Sequence, residues 1–230
     1  MSSVALVARH IESRDPAHIG ATNGLILQRP MGITLLGVYL QRLTTDTYVN
    51  CVIIPLCMPV ERIYFVQGNP LGFNYGRYPS PQRHVGWNFD DGQQISDLEE
   101  LILKKLLPAW EELSDPQNCI DHFMQMAPGH RTANGAVLES QACLAAYQKS
   151  YELSLSFVSE WKEYSRKHCT AATKEHSRYL TEEATVRTVE ECILSKDYAR
   201  LADQLEAWYH KSVRKLRLTK FASPLLYQSR

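Results

Sequence analysis

The chain changes character once, near residue 95. Up to that point the text is rich in Gly, Pro, Tyr and β-branched residues; beyond it Leu, Glu, Lys, Ala and Gln dominate. Strand-forming text succeeded by helix-forming text, rather than alternating with it, points to an α+β arrangement. The expected fold is an N-terminal antiparallel sheet of four or five strands packed by helices, followed by a C-terminal helical bundle. The 230 residues are enough to bury a substantial core. The expected division is an α+β sheet domain over 1–130 and a helical bundle over 131–230, packed on the first as one unit.

Residues 3–12 read as a short opening helix with Val4, Val7 and Ile11 on one side, ended by Asp15-Pro16. Strands are expected at Leu25–Gln28, Ile33–Gln41, Tyr48–Leu56 and Ile63–Val66, with Val85, Trp87 and Phe89 alternating in a fifth. The third of these is apolar on both faces, as in a buried central strand, and Pro55 marks a bulge or an end in it. Short links favour antiparallel pairing.

Helices are punctuated after residue 95. Ser96-Asp97-Leu98-Glu99 reads as a capping box, with Leu98, Leu101, Ile102 and Leu106 at helical spacing. Pro108 is expected to kink or end that helix. Asp115-Pro116 pairs a cap with proline at the first helical position, and Cys119, Ile120 and Phe123 form the inner face of the helix it starts. From Ala136 to about His168 the text is helical. Unbroken, it would run about 50 Å, long enough that a bend or an extension beyond the sheet is expected. Thr181-Glu182-Glu183 is expected to cap a further helix, with a break at Ser195 or Lys196 before the last one.

Composition excludes several classes. The 25 basic and 25 acidic residues cancel, which argues against broad phosphate neutralisation. The apolar stretch between Arg29 and Arg42 is about half the roughly 20 residues of a spanning helix, and no cationic leader opens the chain. The expectation is therefore a cytoplasmic protein that does not engage a membrane. The six cysteines are scattered without a CxxC pair and read as reduced, mostly buried thiols.

The chemical constellations are thin. His168-Cys169 with His176 fits no usual zinc spacing. No GxSxG elbow is present, and Cys51 and Cys57 lie in apolar text that makes a thiol inert. Asp90-Asp91 before Gly92 could serve acid/base or metal chemistry, but Asp-Gly is also turn chemistry. Gly72-Phe73-Asn74-Tyr75-Gly76 has neither the lysine nor the helix start of a phosphate loop. No catalytic, cofactor-binding or metal-binding residue is therefore expected, and a small-molecule substrate is not expected either. Lys211, Arg214, Lys215, Arg217 and Lys220 form a run without an acid between them. That run could grip nucleic acid, or simply suit a helix C-terminus. The segment 68–83 is dense in Tyr and Arg, the residue types that dominate interface hot spots. Phe73, Tyr75, Arg77, Tyr78, Arg83, Asp90 and Asp91 are the expected partner-binding residues.

Leu40-Gln41, Tyr48-Val49-Asn50, Trp87 and the run Leu98 to Pro108 carry one resemblance. Over residues 25–110 the chain resembles small bacterial domains of unknown function with an opening helix, a short meander and a helix ending at a proline. Such domains resemble immunity proteins encoded beside toxins. The resemblance implies a non-catalytic, cytoplasmic protein whose partner is a toxin domain, neutralised by covering its active site. The helices after residue 135 fall outside it, and no family site residue transfers. The rival expectations are a nucleic-acid or ribonucleoprotein accessory protein using the basic C-terminal helix, and an enzyme whose site is assembled from distant residues such as His84, Asp90 and Asp91.

Overall fold

The computed structural model describes residues 3–42, 47–60, 87–125 and 135–223. Helix α1 (Ser3–Arg14) buries Val4, Val7 and Ile11, as its spacing requires. Four strands succeed it in a meander, β1 (Ile19–Thr22), β2 (Leu25–Gln28), β3 (Thr34–Arg42) and β4 (Thr47–Pro55), each antiparallel to the next. The sheet is thus the expected one, with an additional opening strand. The β1–β2 link is the pair Asn23-Gly24, with φ of 48° and 80°. This two-residue turn matches the right-handed twist of the flanking strands. At Gly24 a side chain would also press within 2.8 Å of the Val4 Cγ1 methyl.

Residues Thr34–Val38 of β3 and Cys51–Pro55 of β4 are buried without alternation, so both sheet faces are covered. Pro55 sits opposite Thr34 at the end of β4, where its missing donor breaks no interior rung, and Leu56 N–H resumes with Ile33 O at 2.8 Å. Of the expected fifth strand, the described residues show one bridge: Trp87 and Thr47 exchange backbone hydrogen bonds of 2.8 and 3.1 Å. Ile63–Val66 and Val85 lie outside the described residues.

The expected capping box is not used. Helix α2 (Gly92–Leu101) starts earlier than Ser96, because the Asp91 carboxylate accepts the Gln93 amide at 2.9 Å. Ser96 lies inside the helix and bonds back to Gly92 O at 3.2 Å. Glu99 turns to α1 instead, accepting from Arg14 Nε at 2.7 Å and pairing with His10 Nε2 at 3.0 Å. Burial alone would push this carboxyl up, but the hydrogen bonds and charges of Arg14 and His10 outweigh it and hold the carboxyl below its ordinary range. Glu99 therefore adds stability above its unfolded pKa, and that stability is lost as pH falls through the lower folded value. A Glu99→Gln variant should lose about 1 kcal/mol at neutral pH and converge on the wild type in acid, read from urea unfolding.

Pro108 does not end the helix. A π turn (Ile102–Leu106) joins α2 to α3 (Leu107–Leu113), with Leu107 N–H bonded to Ile102 O. Widening the ladder just before the proline accommodates its missing donor and its ring. Helix α4 (Pro116–Gln125) is capped by Asp115 Oδ1, at 2.8 Å from Gln117 N, and buries Cys119, Ile120 and Phe123 as expected.

The helical text from Ala136 to His168, expected to bend or to extend beyond the sheet, is two helices. Helix α5 (Gly135–Tyr147) ends at Gln148-Lys149-Ser150, with Lys149 at φ 63°, and α6 (Tyr151–His168) returns along it. The Ser154 hydroxyl donates to Ala142 O at 2.8 Å, while Gly135 abuts Trp161 and Tyr164, which fixes the pair as antiparallel. After the short α7 (Ala171–Lys174), α8 (Ser177–Leu194) is capped by His176 rather than at Thr181, whose hydroxyl bonds to Ser177 O. Helix α9 (Tyr198–Lys215) begins after the expected break, capped by Asp197. Beyond it, Phe221 O accepts from Met31 N and Ser223 N donates to Met31 O, both at 3.0 Å, laying the chain against the segment after β2. One hydrophobic cluster runs from Val4 through Phe221, through sheet and helices alike.

Candidate functional site

Helix α5 is buried on every side from Gly135 to Ala146. Apolar text explains most of this, but Glu139, Ser140 and Gln141 lie in the same run. Ser140 is satisfied locally, its hydroxyl bonding to Ala136 O at 2.6 Å. Glu139 is 0% exposed and depends on α8. Arg178 Nη2 donates to Glu139 Oε2 at 2.8 Å, and the same guanidinium donates from Nε to Glu182 Oε1 at 2.7 Å. One cation thus serves two carboxylates. Glu139 Oε1 has no hydrogen-bond partner among the described residues. Burial raises the Glu139 carboxyl to about 7; Arg178 pulls it down and Glu182 pushes it up.

The close approach at Gly135 is part of this arrangement. A side chain there would stand 2.8 Å from Glu182 Oε2 and 2.9 Å from the Tyr164 ring. The small residue lets α6 and α8 both close on the start of α5.

The outer face of α8 forms a groove with α9. It holds about 390 Å³ and is lined by Leu180, Thr181, Ala184, Thr185 and Thr188 of α8, Gln204, Trp208 and Lys211 of α9, and Pro59. Short side chains at Thr181, Ala184 and Thr188 leave the space, and Trp208 supplies a broad wall. Pro59 is held in place from both sides: Ser212 donates to Met58 O at 2.8 Å and accepts from Val60 N at 2.9 Å. Thr185 faces the groove on one side and Glu139 on the other. Leu180 is 50% exposed at the groove edge. Lys211 and Lys215 have no ion-pairing carboxylate among the described residues; on the same helix Glu206 pairs with His210.

Of the expected partner-binding residues, Phe73, Tyr75, Arg77, Tyr78 and Arg83 lie outside the described residues, as does His84. Asp91 is engaged as the α2 cap, and its second oxygen accepts from Gln94 Nε2 at 3.2 Å. Asp90 is exposed in the preceding turn, its amide bonded to Asn88 Oδ1 at 3.0 Å. The basic run is not one helical face: α9 ends at Lys215, Arg217 sits in a turn at φ 59°, and the Lys220 ammonium lies over the Phe221 ring at 4.4 Å.

The cysteines are free thiols, and Cys51, Cys57, Cys119, Cys143 and Cys192 are buried. Burial pushes Cys51 up to about 11 and Cys119 up to about 12. Among the described residues no three of His, Cys, Asp or Glu converge to hold a metal ion, and no helix is long and apolar enough to cross a membrane. The groove and Glu139 were not anticipated. Glu139 had a signal, a lone carboxylate in an apolar run, but its partner stands 39 positions away. No protein-family model, no curated protein and no solved structure matches this chain.

Proposed function

We propose that this chain is a non-catalytic protein-binding protein, and within that class an immunity protein that covers the active site of a cognate bacterial toxin, with the α8–α9 groove receiving a segment of the partner. The groove carries the reading. It offers an apolar edge at Leu180 and a half-buried aromatic wall at Trp208, beside the cation Lys211, with Lys215 four residues further along α9. An aromatic wall supplies large contact area at small entropic cost, and cations without local partners attract a complementary charge. The occupant is therefore a protein segment presenting an apolar side chain next to a carboxylate. The narrower immunity reading rests on the resemblance over residues 25–110. It also keeps Phe73, Tyr75, Arg77, Tyr78 and Arg83 as a second proposed contact.

The test is neutralisation. A protein that co-purifies with the tagged full chain from its native host should arrest growth when expressed alone, and the wild-type chain should relieve the arrest. Trp208→Ala and Lys211→Glu should each weaken the complex about 30-fold, corresponding to about 2 kcal/mol, and relieve it poorly. The Lys211→Glu effect should shrink in high salt. A retained protein without toxicity would remove the immunity reading. Full relief by both groove variants, with loss on Tyr75→Ala and Arg77→Ala, would remove the groove.

A further inference from the structure

Among the described residues, the charges between α5 and α8 do not balance. Two carboxylates share Arg178, and one of them, Glu139, is wholly buried with an oxygen that nothing described engages. A buried carboxylate lacking its full set of hydrogen bonds is the form most penalised by desolvation, and a bound proton removes that penalty.

We propose that Glu139 is a proton-operated latch: the α5–α8 contact closes with a proton on Glu139 and loosens when the proton leaves, so that the groove wall carried by α8 responds to pH. The groups that face it are few. Helix α8 brings Arg178, Glu182 and the Thr185 hydroxyl. Cys143 of α5 and Cys57, just after β4, feel its charge, and both are thiols that burial holds protonated. From α6, Tyr164 faces Glu182. Cys119 of α4 acts on Cys57, Tyr147 of α5 feels Cys57, and Tyr209 of α9 feels Tyr147 in turn. Arg178 is therefore the one cation in this set and cannot neutralise both carboxylates. The raised Glu139 carboxyl, at about 7, agrees with this count.

Linkage sets the sign. The folded state holds a proton that the unfolded chain releases near 4.5. The added stability is complete below that value and is lost as pH rises through about 7. His122 works the other way: burial lowers it, so its contribution is lost as pH falls. A comparison of variants is thus needed to isolate Glu139.

Amide hydrogen exchange of 178–188, corrected for intrinsic rates, reads α8 opening directly and needs no partner. Between about pH 5 and about pH 8 the wild type should open on the order of tenfold to a hundredfold more often, and Glu139→Gln, which mimics the protonated form, should show little of that change. Equal pH dependence in both proteins would overturn the latch. Should the variant fail to fold, infrared spectroscopy of the wild type decides. A carboxylic-acid band present at mildly acidic pH and lost on alkalinisation supports the latch, and its absence at every pH overturns it.

Discussion

Replacing Arg178 with Met is expected to destabilise the fold by about 3–5 kcal/mol at about pH 8, where Glu139 is ionised. The size reflects the charges left behind. Glu139 is fully buried and Glu182 nearly so, and Arg178 itself is only 17% exposed, so water does not readily replace the guanidinium. A buried ion pair contributes little net stability against an apolar replacement, but removing one member strands the other. Two stranded carboxylates have one remedy, protonation, so the loss should shrink as pH falls. Adding Glu139→Gln to Arg178→Met should recover part of it, because the two positions belong to one network and their effects cannot add. Urea unfolding of the single and double variants at about pH 5 and about pH 8 checks this; strict additivity would contradict the coupling.

Trp110→Ala should cost a comparable amount, about 3–5 kcal/mol. Trp110 is 1% exposed on α3 and meets the sheet beside Cys51 of β4. The π turn before Pro108 shifts the phase of the helix that carries Trp110. Truncation leaves a void that a covered sheet face and the rigid ladder on either side cannot easily fill. Thiol chemistry supplies a second readout. Burial raises the Cys51 thiol to about 11, partly offset by the Trp110 contact, and keeps it inert. In Trp110→Ala a thiol-specific reagent should label Cys51 under native conditions, whereas the wild type should resist it. Unchanged labelling together with unchanged unfolding would contradict the packing described.

The broad architecture was legible because the composition switches once and because strong punctuation is local. Asp115-Pro116 and Asp197 cap their helices without help from distant residues. The misread boundaries share a cause: a side chain that local text assigns to a cap is taken by another partner, distant in sequence for Glu99 and one turn away on the same helix for Glu182. Glu99 goes to Arg14 and His10, and Glu182 to Arg178. The α5–α6 turn carries no glycine or proline, and Lys149 adopts positive φ instead. Its trace in the sequence is a change of pattern, from text apolar on all sides to an amphipathic repeat. Opening strand β1 is too short to declare itself, and its clearest signal is the Asn23-Gly24 turn that ends it. The groove left no local mark, because it arises where short side chains of one helix face a tryptophan of the next.

Site-specific photo-crosslinking in the native host tests the proposed binding surface most directly. A photoreactive residue placed at Leu180 or Gln204, on opposite walls of the groove, should yield the same single protein adduct, and one placed at exposed Glu111 of α3 should yield none. An adduct from position 111 or 75 with none from either groove wall would contradict the account.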